Sequence, residues 1–293
     1  MITFKIIKFI FNHPFNSDNR ISGVLRFFKW QLNTKLNPYP IVYPFTENSK
    51  LIIWKSLKGA TGNLYCGLMD YYDMGFLLHF LRSTDLFIDV GANIGAYTVL
   101  ASGEIGASTI SIEPIPSTYK ILIDNILINR IQNKVQALNI GLGKSEMKIK
   151  FTKSMDTVNH VATDNEIDTI EVEVDTLDSV TNLIPTLIKI DVEGFETEVL
   201  NGAEKILNNK DLKAIIIELN GSGNRYGYDE NKIHVKLLAL QFKPYYYNPK
   251  TRVLTEVSGY VNSDGNALYI RDKKFVIDRV TSSRKIKILN SEI

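Results

Sequence analysis

Residues 85–98 read Asp85-Leu-Phe-Ile-Asp-Val-Gly-Ala-Asn-Ile-Gly-Ala-Tyr-Thr98. A short apolar run bounded by Asp85 and Gly91 has the pattern of a strand buried on both faces. Gly91 and Gly95 mark a tight turn leading into a helix. Glycines there let the backbone approach a ligand closely, and exposed amides at a helix start favour polar or anionic groups. Ser111-Ile-Glu-Pro114 then places Glu113 at the end of the next strand, 18 residues past Gly95. A carboxylate at that position can accept hydrogen bonds from both hydroxyls of an adenosine ribose.

Outward from this segment the chain alternates strands and helices, the signature of a mostly parallel α/β sheet with helices on both faces. The expected strands are Leu86–Val90, Ser108–Ile112, Val135–Ile140, Leu187–Ile190, Ala214–Leu219 and Ala267–Arg271. Helices are expected at Ile94–Gly103, Pro116–Arg130, Glu196–Leu207 and Glu230–Leu240. Period-two runs at Met147–Phe151 and Thr169–Val174 predict a small antiparallel insertion. Upstream, Gly23–Leu36 and Tyr71–Leu81 have helical spacing, while residues 37–44, punctuated by Pro38, Pro40 and Pro44, read as an irregular connector. The expected division is a basic, aromatic N-terminal extension over 1–66, a Rossmann-like domain over 67–272 and a basic C-terminal tail over 273–293.

The 293 residues are 44% hydrophobic and 23% charged, enough to build a sizeable core without a disulfide or structural metal. The single cysteine, Cys66, points to a reducing compartment, hence a cytoplasmic location. The net charge of +2 is unevenly spread. Residues 1–60 hold nine Lys/Arg against Asp18 and Glu47, giving +7, and residues 271–293 give +4, leaving −9 in between. An acidic centre argues against nucleic acid and suits a neutral or cationic ligand; the basic ends suggest peripheral contact with an anionic surface. No run approaches the roughly 20 apolar residues of a membrane span.

The glycine turn alone would equally serve a nicotinamide dinucleotide. However, Asn93 stands where a pyrophosphate needs a glycine, and Asp89 sits inside the strand end, which disfavours phosphates and suits a sulfonium or an amino group. The runs DLFIDVGANIGAYTVLAS (85–102), IEPIPSTYKILIDNILIN (112–129), NIGLG (139–143), VDTLDS (174–179), IKIDVEGFETEVLNGA (188–203) and IIIELNG (215–221) resemble the FkbM family of S-adenosylmethionine-dependent O-methyltransferases, a likeness that extends upstream through GLMDYYDMGFLLHFLRSTD (67–85). The resemblance implies a class I methyltransferase sheet. Asp89, Gly91, Asn93 and Gly95 would surround the cofactor's methionine part, Glu113 would hold its ribose, and Asn139 and Gly141 would lie near its adenine. The implied acceptor is a small molecule or glycan, a sugar, polysaccharide or natural-product hydroxyl.

Few catalytic groups are needed, because the donor is already activated and the protein mainly aligns an oxygen and excludes water. Asp191, at the end of the fourth strand, and Glu193, two residues on, are the expected proton acceptors, with His160 in the insertion as a third candidate. Glu193 reads equally well as an acid capping the next helix. A magnesium-assisted variant would use Asp191, Glu218 and Asn220, but the metal-free reading is preferred. His234 could reach the cleft, whereas His13 and His79 are expected to pack or face solvent. The competing functions are a nicotinamide-dependent oxidoreductase and a non-catalytic binding module on the same fold.

Overall fold

Alternate residues of the central strands divide between two cores, which fixes the layering. The computed structural model describes residues 2–55, 57–154, 158–163, 165–260 and 265–293. Helices α1 (Ile2–Asn12) and α2 (Arg20–Leu36) lead into a hairpin of β1 (Ile41–Pro44) and β2 (Lys50–Ile53), then α3 (Lys58–Cys66) and α4 (Tyr71–Phe80). The alternating region runs β3 (Leu86–Val90), α5 (Ala96–Thr98), β4 (Ser108–Ile112), α6 (Pro116–Asn129) and β5 (Val135–Leu138). The insertion follows as β6 (Gly141–Leu142), β7 (Met147–Thr152) and β8 (Thr169–Asp175), and then α7 (Leu177–Val180). After it come β9 (Leu187–Ile190), α8 (Glu196–Asn201), α9 (Glu204–Asn208), β10 (Ala214–Glu218) and α10 (Glu230–Ala239). The chain closes with β11 (Lys243–Asn248), β12 (Val253–Glu256), β13 (Asn266–Ile270), α11 (Lys273–Ser282), β14 (Lys287–Ile288) and β15 (Ser291–Glu292).

The main sheet has the order β12-β11-β13-β10-β9-β3-β4-β5. Strands β5, β4, β3, β9 and β10 are mutually parallel, and β13 enters antiparallel between β10 and β11. Phe87, Leu187 and Ile216 point into one core with α4, α11 and the N-terminal elements. Ile88, Ile188 and Ile215 point into the other with Val199, Ile206 and Leu237 of α8, α9 and α10. Each fully buried Ile, Leu or Phe of this set stabilises the fold by about 1.5–3 kcal/mol relative to exposure. Chain order reverses between β3 and β9, so a crevice opens at their carboxyl ends, the usual ligand position of an open α/β sheet.

Four expectations need correction. The connector over 37–44 contains strand β1, whose partner β2 docks on α6 through side-chain amides: Asn129 accepts from Lys50 N, and Asn125 accepts from Ile52 N (both 2.8 Å). Asn125 also donates to Ile94 O at 2.8 Å, tying the hairpin to the glycine loop. The helix expected over Glu196–Leu207 breaks at Gly202, where a Cβ would lie 2.0 Å from Gly143 O, so the helix gives way to a close backbone crossing. The helix after the glycine loop starts at Ala96 and continues as a wider π-helical turn over Val99–Ile105. Residues 273–293 are no loose tail: Val276, Val280, Ile286, Ile288 and Ile293 join the same core as Phe27, Trp30 and Leu51, and Arg279 pairs with Asp85. The antiparallel insertion forms as expected, β7 pairing with β8 over Met147–Thr152.

Candidate active site

The β3–β9 crossing is built by glycine. Gly91 has φ +75°, and a Cβ there would sit 1.8 Å from Asp191 O, so the two strand-end loops touch backbone to backbone. The glycine is therefore required by chain packing itself; the sequence reading left open ligand clearance and the packing of strand against helix, and the contact is with the loop after β9. A Cβ at Gly95 (φ +86°) would meet the Leu122 side chain of α6 at 2.4 Å. The loop amides are also not exposed as expected. Gly91 N and Ala92 N donate to Ile112 O, Gly95 N donates to Ala92 O, Asn93 N donates to Glu113 Oε2 (2.9 Å) and Ile94 N donates to Asn93 Oδ1 (2.8 Å). Every N–H from Gly91 through Gly95 thus has an acceptor inside the protein.

Glu113 ends β4 with its carboxylate almost fully buried. Burial pushes its pKa up to about 7, against the pull of the N–H groups of Ile115 and Asn93, each bound to a different carboxylate oxygen. One acceptor position per oxygen remains, and the residue helps to line a cavity of about 210 Å³. Around Glu113 the wall is apolar, with Ile112, Ile115, Ile140, Leu142 and Phe151.

Across the cavity lies an acidic cluster built around one cation. Lys189, in the middle of β9 and only 4% exposed, donates to Asp191 Oδ2 at 2.8 Å and lies over the Tyr97 ring at 4.8 Å. Burial disfavours the ammonium, but Asp191 and Asp89 outweigh it, and the lysine's pKa ends above its ordinary value. Carboxylate oxygens of Asp191, Glu193 and Glu218 come within 4.8 Å of one another. Burial, then the charge of Asp191, raises Glu193 to about 7; burial with Asp191 and Glu193 raises Glu218 to about 10, so Glu218 holds its proton at neutral pH. Glu218 Oε2 is buried and has no hydrogen-bond partner among the described residues.

The turn after β9 separates two acids that the sequence could not rank. Glu196 accepts from Val192 N (3.1 Å) and Gly194 N (3.2 Å) and so takes the capping role considered for Glu193. Glu193 itself is held at φ +55°, a conformation strained for a residue with a side chain, and lines the cavity. At Gly194 (φ +105°) a Cβ would lie 2.7 Å from the backbone of Ser222.

Of the residues singled out in the sequence, Gly91, Asn93, Glu113, Gly141, Asp191, Glu193 and Glu218 line the one cavity. Asp89 lies fully buried under the loop and accepts from the Thr98 hydroxyl (2.7 Å). Asn139 braces the β4–α6 turn by donating to Glu113 O (2.8 Å) and Pro114 O (3.0 Å). His160 is buried in the insertion between Glu166 Oε1 (3.0 Å) and Val158 O (2.8 Å); its neighbour Asn159 is the residue in the cavity wall. His234 bonds the Tyr269 hydroxyl (2.8 Å), His13 is buried against Met69 O (2.9 Å), and His79 is buried against the Tyr247 hydroxyl (2.6 Å). Asn220 accepts from Ser222 N (2.8 Å), so Glu193 replaces it in the oxygen triad considered for magnesium. Sequence reasoning missed Lys189, Tyr97 and Asp70, which bonds the Tyr97 hydroxyl (3.0 Å).

A crevice at the reversal point of a parallel sheet, with an acid closing β4 and a glycine crossing after β3, defines a Rossmann-like nucleoside-binding fold of the methyltransferase class. Residues 89–244 match the model of the methyltransferase FkbM domain, and the chain belongs to that family. Similar proteins include the hexuronic acid methyltransferase AglP of Haloferax volcanii, 31% identical over 147 residues, or 49% of this chain and 59% of that protein. Methyltransferase 1 of Beauveria bassiana is 31% identical over 145 residues, or 40% of this chain and 57% of its own. The chain thus aligns with less than two thirds of these relatives' length. Among solved structures, methyltransferase FkbM from Methylobacillus flagellatus KT is 16% identical with a TM-score of 0.46, covering 71% of this chain and 52% of that one.

Proposed function

We propose that this chain transfers a methyl group from S-adenosylmethionine to a hydroxyl oxygen of a sugar, polysaccharide or natural product. The observation that carries the reading is the single cavity joining Glu113 to the Lys189–Asp191–Glu193–Glu218 cluster across a loop whose amides are already bonded. A pyrophosphate needs unbonded loop N–H groups, and residues 91–95 offer none, which disfavours a nicotinamide dinucleotide. A ribose needs acceptors, and Glu113 offers one on each oxygen. The name of the Haloferax relative supports a sugar acceptor.

When bound, the donor supplies a methyl group on a sulfonium that needs no further activation. The chain's residues do the rest. Glu113 holds the ribose, and Ile112, Ile115 and Leu142 pack on the adenine. Glu218, protonated at neutral pH, donates a hydrogen bond to the acceptor oxygen. Glu193, with a pKa of about 7, takes the acceptor's proton, since a base matched to ambient pH is the most effective. Asp191 is held in place by Lys189. The three carboxylates also fit a hard divalent cation, but Lys189 already supplies positive charge at Asp191, which favours the metal-free version. Cys66, buried with its thiol pushed up to about 12, is inert and consistent with a reducing, cytoplasmic setting.

Differential scanning fluorimetry tests the cofactor. S-adenosylhomocysteine at about 100 times its Kd raises Tm, corresponding to about 2.7 kcal/mol of linkage, and NAD leaves it unchanged. A shift with NAD alone would replace the methyltransferase with an oxidoreductase.

A further inference from the structure

Helix α2 is apolar on two faces. Gly23, Phe27 and Trp30 are buried against the rest of the chain. On the other side, Ile21, Leu25, Phe28, Leu32 and Leu36 recur every three or four residues and form one stripe, exposed by 67, 61, 53, 61 and 77%. Solvated helices place charge at such positions. At 100° per residue, Lys29 and Lys35 flank this stripe on opposite sides.

Helix α1 packs beside α2 and repeats the composition. Phe4, Phe9 and Phe11 are exposed, Lys5 and Lys8 lie between them, and the helix contains no acid. Arg20 sits over the Phe11 ring at 5.2 Å. Of the two acids within residues 1–60, Asp18 is already paired with Lys250 (2.8 Å). A groove of about 550 Å³ lined by Trp30, Leu32, Leu36, Ile41, Tyr43 and Leu64 opens next to the stripe.

Charge decides what covers this face. A second copy would set a +7 segment against another +7 segment, whereas an anionic bilayer takes the stripe into its acyl boundary and the lysines among its headgroups. We propose that α1 and α2 form a docking surface for an anionic lipid membrane. The active-site cavity shares α3 with this surface: Gly59 and Asn63 line the cavity and Leu64 lines the groove. Docking therefore brings the cavity's α3 wall toward the lipid.

The test is co-sedimentation of the full chain with vesicles. In about 0.15 M salt the protein sediments with phosphatidylcholine vesicles containing about 30% phosphatidylglycerol, stays in solution with phosphatidylcholine alone, and is released in about 0.5 M salt. Leu25→Ser/Phe28→Ser/Leu32→Ser and, separately, Lys29→Glu/Lys35→Glu each lower the partition coefficient by about tenfold or more. All five side chains are exposed, so both variants keep the wild-type melting curve, and the charge reversal tests docking even if the apolar variant aggregates. Three results overturn the proposal: no sedimentation of the wild type with anionic vesicles, equal binding to neutral ones, or unchanged binding by both variants. A dimer in sedimentation equilibrium that the apolar substitutions dissolve would also overturn it, assigning the stripe to a second copy.

Discussion

Protonation of Glu113 should control cofactor affinity. Each carboxylate oxygen already accepts one N–H, from Ile115 and from Asn93, so one further acceptor direction per oxygen remains for the two ribose hydroxyls. A proton on either oxygen occupies one of them. The group titrates near 7 in the free protein, above its ordinary 4.5. In the unliganded fold its protonated form therefore stabilises below pH 4.5, and that contribution is lost as pH rises through 7. Ligand binding runs the other way, because it selects the ionised form. The ionised fraction rises from about 0.1 at pH 6 to about 0.9 at pH 8, so the Kd for S-adenosylhomocysteine should fall about tenfold over that interval. Isothermal titration calorimetry in buffers of different ionisation enthalpy should record close to one proton released on binding at pH 6. Glu113→Gln should bind more weakly, by about 1.5–3 kcal/mol, and lose the pH dependence. A wild-type Kd that is flat between pH 6 and 8, or a Gln variant with the same slope, would refute the assignment of the ribose to Glu113.

Gly91→Ala should reduce stability by about 3 kcal/mol or more, since its Cβ would overlap Asp191 O at 1.8 Å; a thermal melt within 2 °C (about 1 kcal/mol) of wild type would show that the crossing can open. Lys189→Met should cost about 3–5 kcal/mol at pH 7 by leaving buried Asp89 and half-buried Asp191 uncompensated, read as a shifted urea midpoint; because the lysine's pKa is raised, its contribution is present throughout the acidic and neutral range. Glu193→Gln should keep cofactor binding while turnover falls by roughly 10²–10⁴ and the rise of rate through pH 7 disappears, whereas Asp191→Asn should keep that rise and move it to lower pH, because the Asp191 charge helps to raise Glu193; EDTA should leave the wild type active, and silencing reversed by magnesium would move both acids into a metal site.

The parallel strands were legible because they are buried on both faces and carry unbroken apolar runs: β3, β4 and β9 begin and end where the residues indicate. Strands β1 and β11 were not, since Pro44 and Pro244 sit inside them and edge or antiparallel positions tolerate proline that a central parallel strand would not. Helix α11 and the closing hairpin were hidden by their charge: basic residues cover the outside of a segment whose Val276, Val280, Ile286 and Ile288 face inward. At the site, the glycine loop and Glu113 followed from a local pattern, but the roles of Glu193 and Glu196 depend on a left-handed turn that spacing does not reveal. Lys189 did leave a signal. A lysine in the middle of an apolar strand must find an anion in the interior, and Asp191 at the end of its own strand and Asp89 in the neighbouring β3 were its available partners.

Asn125 gives the molecule a property that neither of its bonds has alone. One side chain receives Ile52 N from the N-terminal hairpin and donates to Ile94 O in the glycine loop. The hairpin and the loop therefore hold one α6 side chain from two sides, and the amide keeps both bonds only while both backbones stay in register with it. The hairpin of residues 41–53 is in this sense a brace carried on the same polypeptide, and unseating it leaves the Asn125 amide held from the loop side alone.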